Sequence, residues 1–268
     1  MTGFEIEGCS KMKKIFIPLF VVLSSFADLS AADRITEEPV FSGSVYQCKI
    51  FDRYRKDSGF MKLTADGKTL FISNRIYASC KGPDGKNIAL AEQSDPQYKW
   101  ENNILTNEKF LIPRNAKDGT EKYAEVKRKI TFGQNKIAVE ITVKNLRDIT
   151  FPNTWQVFTE NLALVTDSVK GMRAEGILPD DQKMSTVIPR KYDRKKWGFG
   201  KYIKQLKLTD SEKIDMTVTS APDCMLLLNH YGGKNMGLKI TPSVRKTELD
   251  RKAGTETKIG FAIEFGRP

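Results

Sequence analysis

The clearest concentration of side chains that could bind a ligand lies at residues 190–207. Eight of these eighteen residues are basic, four are aromatic, and Asp193 is the single acid. Lysine and arginine attract carboxylate and sulfate groups, and flat aromatic faces offer apolar surface to a sugar ring. The pattern predicts a site for an acidic polysaccharide, formed by Arg190, Lys191, Tyr192, Arg194, Lys196, Trp197 and Tyr202. The alternative is an exposed basic loop whose aromatic residues enter the core.

A second group of polar residues, Asn229, His230 and Tyr231, follows the apolar run Met225–Leu228. A uronate lyase needs one group to neutralise the substrate carboxylate and a base to remove the C5 proton. These three residue types, with an arginine of 190–207, could supply both functions, so they form the candidate catalytic set. The alternative is that a lone histidine at a turn is structural or solvated.

The remaining titratable residues form no recognisable site in the sequence. His230 is the single histidine, which excludes a multi-histidine metal site. The sequence contains no phosphate-binding glycine loop, no Gly-x-Ser-x-Gly elbow and no calcium loop. We therefore expect no metal and no cofactor. Glu160 and Glu264 lie in strand patterns, where a carboxylate is expected to face solvent.

The amino-terminal residues have the pattern of a secretory signal peptide. Met12-Lys13-Lys14 precedes the apolar run Ile15–Phe26, and small residues follow at Ser30 and Ala32. The run is shorter than the roughly 20 residues of a membrane-spanning helix. We expect residues 1–32 to be a signal peptide cleaved after Ala32, with translation starting at Met12. The protein would be exported, to the periplasm or the medium, without a transmembrane segment.

The charge of the chain indicates the chemistry of its partner. The formal net charge is +11, and the part after Ala32 keeps all of it because residues 1–32 contain three basic and three acidic residues. For an exported protein this charge favours an acidic polysaccharide or an anionic envelope surface, and we do not expect nucleic acid. The oligomeric state stays open.

Three cysteines remain after the predicted cleavage: Cys48, Cys80 and Cys224. In an oxidising compartment a Cys48–Cys80 disulfide is predicted, because both residues lie in the amino-terminal strand-rich region. The alternative is three buried free thiols that behave as small apolar side chains.

Apolar residues alternate with polar ones almost throughout the chain, as at Ile137, Val139, Ile141 and Val143. Strict alternation is typical of half-buried antiparallel strands, and turn residues such as Asp66-Gly67 separate the runs. About fourteen strands and no helix are predicted. The fold class is all-β, a large antiparallel β-sandwich forming a single domain at 33–268.

Residues 247–261 resemble the closing strands of the β-supersandwich group, with a leucine, polar residues, a small-Gly pair and then an alternating strand. That group includes galactose-mutarotase-like domains and the sheet domains of polysaccharide lyases and glycosidases. The hairpin Lys129–Asn145 is similar in style to their central strands. The resemblance implies a carbohydrate context. Mutarotases use two histidines and a carboxylate, so the single histidine here argues against mutarotase activity itself.

Three hypotheses for function follow from these patterns. The first is an exported carbohydrate-binding or accessory protein that contacts acidic polysaccharide through residues 190–207. The second is a polysaccharide lyase or sugar-epimerase-like enzyme that uses His230 and Tyr231. The third is a non-catalytic structural protein of the cell envelope.

Overall fold

The structure is a computed structural model. It describes residues 40–55, 59–93, 97–114, 116, 121–154, 157–189, 201–210, 215–230, 235–243 and 248–266. The chain divides into Met1–Arg34 and Ile35–Pro268, and all described residues belong to the second unit. The predicted signal peptide lies outside the described residues and stays a prediction.

The described residues form nineteen strands and one short helix. They are β1 (Val40–Ser42), β2 (Tyr46–Arg55), β3 (Gly59–Ala65), β4 (Lys68–Lys81), β5 (Asn87–Glu92), β6 (Gln97–Glu101), β7 (Ile104–Pro113), β8 (Ala124–Phe132), β9 (Lys136–Asn145), β10 (Ile149–Thr150), β11 (Thr159–Val165), α1 (Thr166–Val169), β12 (Arg173–Ile177), β13 (Lys183–Val187), β14 (Gln205–Thr209), β15 (Asp215–Ser220), β16 (Cys224–His230), β17 (Asn235–Pro242), β18 (Asp250–Arg251) and β19 (Glu256–Gly266).

The strands make two antiparallel sheets. The first sheet has the order β1-β2-β3-β4-β11-β17-β16. The second has the order β6-β7-β8-β9-β19-β15-β14-β12-β13. Strand β5 pairs with β4 of the first sheet and β7 of the second, and β10 and β18 form a separate pair. The predicted all-β sandwich is confirmed.

Alternation within the strands builds the core between the sheets. In β9, Ile137, Val139, Ile141 and Val143 are buried, whereas the charged residues between them are exposed. Inward side chains of both sheets join one apolar cluster. One face of the second sheet therefore packs on the first sheet and its other face meets solvent, as expected for antiparallel strands.

The predicted hairpin at Asp66-Gly67 is confirmed. Ala65 pairs with Lys68, so the turn has two residues, with φ of 46° at Asp66 and 71° at Gly67. Two positive φ angles are the signature of a type I′ turn, whose twist matches that of the flanking strands.

The chain from Val40 to Phe51 forms the hairpin of β1 and β2 rather than one continuous strand. The chain reverses at Gly43, whose amide donates a 2.9 Å hydrogen bond to the Tyr46 carbonyl. A Cβ at Gly43 would collide with the Tyr46 ring and the Gln134 carbonyl. Only glycine fits this close approach, so the tertiary contact with Gln134 explains why the strand breaks here.

The predicted Cys48–Cys80 disulfide is wrong, because both residues are free buried thiols, as is Cys224. Cys48 pairs with Leu63, and Leu63 pairs with Phe71 on β4. Cys80 lies nine residues beyond Phe71 on the same strand, about 30 Å if the strand ran straight. A disulfide needs Cα atoms within about 7 Å. Burial raises the pKa of Cys80 to about 11, so this thiol stays protonated and unreactive.

No helix in the described ranges is long and apolar enough to cross a membrane.

Candidate functional site

A cleft of about 530 Å³ opens on the solvent face of the second sheet, over strands β6 to β9. Most of its lining residues occupy the outward phase of these strands, opposite the buried apolar phase. They are Gln93, Lys99, Thr106, Asn107, Glu108, Phe110, Lys127, Arg128, Lys129, Glu140 and Thr142.

Strand register places three lysines of the cleft side by side. Lys99 lies opposite Thr106, which in turn lies opposite Lys129 on its other side. Lys99 and Lys129 are therefore two strand spacings apart, about 10 Å. Lys127 lies two residues from Lys129, with its Nζ 3.4 Å from Glu125 and 3.7 Å from Glu108. These ion pairs are largely exposed and therefore weak, so the lysine remains available to a charged ligand.

Phe110 adds an aromatic surface to the cleft. Its ring is half-buried, and the Lys122 Nζ covers one face at 3.7 Å from the ring centroid, so the cleft receives the rest of the ring. Hydroxyl groups of Thr106 and Thr142 and the amide of Gln93 line the same cleft. An aromatic face, neutral hydrogen-bonding groups and cations are the contacts that a charged, polyhydroxylated ring requires.

A buried ionic cluster lies beneath the cleft, centred on Arg128. Arg128 Nη1 is 3.0 Å from Glu92 Oε1, and Arg128 Nη2 is 2.8 Å from Glu160 Oε2. The Ile76 amide donates a 2.9 Å hydrogen bond to Glu92 Oε2. Arg128, Glu92 and Glu160 are each no more than 2% exposed. At this burial, solvent hardly screens the ion pairs. Removal of one partner would leave the other as an unpaired buried charge.

The cluster ties the two sheets together directly behind the cleft floor. Arg128 belongs to β8 of the second sheet, Glu160 to β11 of the first, and Glu92 to β5 between them. Arg128 also lines the cleft, so its anchoring fixes the floor between Lys127 and Lys129. We assign the cluster a positioning role, because its carboxylates are fully enclosed.

Two pKa shifts describe the electrostatics of this cluster. Burial alone would raise the pKa of Glu92, but the charges of Arg128 and Lys109 hold it below its usual value. Lys109 is 2% exposed, and its burial lowers its pKa to about 8 against the opposing attraction of Glu92. The carboxylate is therefore ionised at neutral pH, while Lys109 is close to its titration point.

The expectation that Glu160 faces solvent is wrong. Glu160 shares the inward phase of β11 with Leu162 and Leu164, so the strand carries it into the core, where Arg128 binds it. The same expectation is confirmed for Glu264, which is exposed and lies 2.6 Å from Lys136 Nζ.

The predicted site residues are only partly described. Tyr202 is half-buried, and burial raises the pKa of its hydroxyl. Asn229 and His230 end β16, where they pair with Gly237 and Met236 in the first sheet, whereas the cleft lies on the second. The remaining predicted residues, Arg190, Lys191, Tyr192, Arg194, Lys196, Trp197 and Tyr231, lie outside the described residues.

Within the described residues, no three or more histidine, cysteine, aspartate or glutamate side chains are grouped so that they could hold a metal ion.

Comparison with known proteins establishes the fold. No protein-family model matches the chain, and no curated protein sequence matches it. A galactose mutarotase-like protein from Lactobacillus casei superimposes with a TM-score of 0.55 at 9% identity, over 86% of this chain and 100% of that one. The chain has the galactose-mutarotase-like fold.

Two further structures agree with this assignment. A Synechocystis protein matches with a TM-score of 0.55 at 9% identity, over 90% of this chain and 100% of that one. A glycoside hydrolase family 97 enzyme from Pseudoalteromonas, in complex with acarbose, matches with a TM-score of 0.53 at 9% identity, over 85% of this chain and 35% of that one. At these identities the likeness concerns the fold alone, and at that level the supersandwich resemblance is confirmed.

Proposed function

We propose that the protein binds carbohydrate, specifically an acidic polysaccharide, in the cleft over β6 to β9. The observation that carries the proposal is the presence of Lys99, Lys127, Lys129 and Phe110 in one open cleft. Support also comes from the fold, because the similar structures include a mutarotase-like protein and a glycoside hydrolase bound to acarbose.

The charges in the cleft favour an anionic sugar over a neutral one. Three lysines lie among two carboxylates, those of Glu108 and Glu140, on a chain of net charge +11. Lysine ammonium groups donate to carboxylate or sulfate, while glutamates accept hydrogen bonds from sugar hydroxyls. A sugar that carries both anionic and hydroxyl groups can therefore bind the lysines and the glutamates of the cleft together.

The proposed cleft does not rest on the segment predicted at 190–207. Tyr202 is the one predicted ligand residue of that segment within the described ranges, and it does not line the cleft. The segment stays a prediction as an additional contact. We also propose export, with cleavage after Ala32, on the amino-terminal sequence pattern. An exported protein meets acidic polysaccharides of the envelope or the medium.

The double variant Lys127→Gln/Lys129→Gln is expected to lose at least about tenfold in affinity for polygalacturonate. The substitutions remove two cations from the cleft and leave the buried core untouched. Affinity is measured by retardation of residues 33–268 in native gels cast with polygalacturonate or a neutral glucan, at low and high salt. Retardation by the acidic polymer alone, weakened by salt, is the expected wild-type behaviour.

The matched control is Lys86→Gln/Lys252→Gln, which removes the same charge from two lysines that are more than four-fifths exposed and outside the cleft. Equal losses in the two double variants would contradict a specific site, as would a wild type that migrates equally in every gel. Ultraviolet-absorbing unsaturated products in the same samples would indicate the lyase alternative, because binding alone does not form them.

A further inference from the structure

We infer that the cleft is one end of a continuous groove across the second sheet, which takes an extended sugar chain rather than a single sugar. The inference rests on the proposed carbohydrate function. It names the class of ligand, an oligosaccharide of several residues that lies across the strands.

The first step is a second cleft of about 410 Å³. It lies at the ends of β12, β14 and β15, where β16 of the first sheet begins and adds Cys224 and Met225 to the lining. Its lining residues are Ile177, Pro179, Asp181, Lys204, Gln205, Thr219, Ser220, Ala221, Pro222, Cys224 and Met225. Thr219 and Gln205 occupy the outward phase of their strands, as Glu140 and Thr142 do in the first cleft.

The second step is the register between the two clefts. Strand β19 is the one strand between β9, which lines the first cleft, and β15, which lines the second. Gly260 lies opposite Glu140, and its carbonyl accepts a 2.8 Å hydrogen bond from the Ala221 amide. Ala262 lies opposite Ala138 on one side and Thr219 on the other. A glycine and an alanine are therefore what separates the clefts.

The third step is the size of the side chains along β19. Its outward residues on either side of the crossing, Lys258 and Glu264, are long and exposed, whereas Gly260 and Ala262 between them are small. A Cβ at Gly260 would lie 3.0 Å from the Ala221 Cβ, so Ala221 covers this position and accounts for the glycine. The open crossing between the clefts therefore runs over Ala262, which lies between Ala138 and Thr219.

The last step is the length of the groove. Lys99 on β6 and Gln205 on β14 are outward polar residues of the two clefts, and six strand spacings separate their strands. Six spacings correspond to about 29 Å, which far exceeds the size of one sugar ring. The end at β6 to β8 carries Lys99, Lys127 and Lys129, and the other end carries Lys204, which forms an exposed ion pair with Asp181. A chain with repeated anionic groups can contact both ends.

The test is a length series of oligogalacturonates, from the dimer to the octamer, titrated calorimetrically into the wild type and into Ala262→Phe. In the wild type, affinity is expected to rise with chain length up to about six sugars. In Ala262→Phe, the phenylalanine blocks the crossing, so octamer affinity is expected to fall at least about tenfold while dimer affinity is unchanged. The matched control is Ala163→Phe, on the outward phase of β11 in the first sheet.

The outcomes separate this inference from the proposed function. Equal wild-type affinity for dimer and octamer would overturn the groove, and so would an Ala262→Phe variant that binds the octamer normally. In either case a persistent loss in Lys127→Gln/Lys129→Gln would leave the first cleft as the whole site. A wild type that binds no oligomer would overturn both proposals. The wild-type length series keeps the inference testable even if Ala262→Phe fails to fold.

Discussion

Replacement of Arg128 by methionine is expected to lower the free energy of unfolding by about 3–5 kcal/mol at neutral pH. Methionine has a similar length, so the expected loss comes from charge rather than from a cavity. Without the guanidinium, Glu92 and Glu160 face each other as buried carboxylates, each about 1% exposed. Urea denaturation followed by circular dichroism measures the change. Lys127→Met, at the adjacent exposed position on β8, is the control and is expected to change stability by less than about 1 kcal/mol.

The pH dependence of this variant gives an independent check. In the wild type the pKa of Glu92 is lowered, so its contribution is complete above the unfolded pKa of about 4.3 and is lost as pH falls through the folded value. In Arg128→Met the largest charge that lowers the pKa of Glu92 is removed while its burial remains, so the variant should gain stability as pH falls toward 5. The triple variant Arg128→Met/Glu92→Gln/Glu160→Gln should recover most of the loss at pH 7. An Arg128→Met variant of wild-type stability would contradict the assigned role.

Removal of the Lys109 amine is expected to abolish a stabilising contribution that grows with pH in the alkaline range. Its folded pKa of about 8 lies below its unfolded value, so the unfolded chain binds more protons between these values. The contribution of Lys109 to wild-type stability should therefore rise by about 3 kcal/mol as pH increases from 8 to about 10.4, whereas the buried thiols, whose pKa values are raised, lower stability over the same range. Lys109 faces Glu92 and Glu160, which attract its charge, and Arg128 and Arg75, which repel it. With Lys109 neutral, two arginines balance two carboxylates.

The measurement is the free energy of unfolding in urea at intervals from pH 7 to about 10.5, for the wild type and Lys109→Met. The difference between the two curves isolates Lys109 from the cysteines, other lysines and tyrosines that titrate in this range. Lys144→Met, which removes an exposed lysine of β9, should keep the wild-type slope. Parallel curves for the wild type and Lys109→Met would show that the buried amine does not titrate as inferred.

Local sequence patterns were sufficient to predict most strands. The run Lys136–Asn145 alternates strictly and forms β9, because one of its faces packs on the core. Short strands without strict alternation were missed. Strand β12, with the sequence Arg-Ala-Glu-Gly-Ile, carries alanine and glycine inward. Its strand conformation depends on pairing with β13 and β14, which no local pattern reports.

The burial of Arg128 and Lys109 can be predicted from their positions in alternating strands, although charged residue types usually indicate exposure. Arg128 shares the inward phase of β8 with Val126 and Ile130, and Lys109 shares that of β7 with Leu105 and Leu111. A charged residue in the apolar phase of an alternating strand must either break the pattern or be buried with a partner. The position of Arg128 in the alternating pattern therefore predicts that it is buried. Its ion-pair partner, Glu160 on the opposite sheet, depends on how the sheets pack.

The cleft could not be predicted from contiguous residues. The dense basic and aromatic pattern at 190–207 is visible in the sequence because its residues are consecutive. Lys99 and Lys129 are thirty positions apart and become neighbours only through the pairing of β6, β7 and β8. Gly260 and Ala262 likewise lie between the two clefts only because β19 pairs with β9 on one side and β15 on the other. Surface sites on antiparallel sheets are defined by register, which a linear pattern does not contain.

The most direct measurement of the central claim is lysine acetylation footprinting of residues 33–268 with and without octagalacturonate, read by mass spectrometry. The oligomer is expected to slow acetylation of Lys99, Lys127 and Lys129, because their amines contact the ligand, while Lys86 and Lys252 react at an unchanged rate. Uniform protection of all five lysines would indicate non-specific charge attraction. Unchanged reactivity of the three cleft lysines in bound protein would contradict the account, because the sugar would then lie elsewhere.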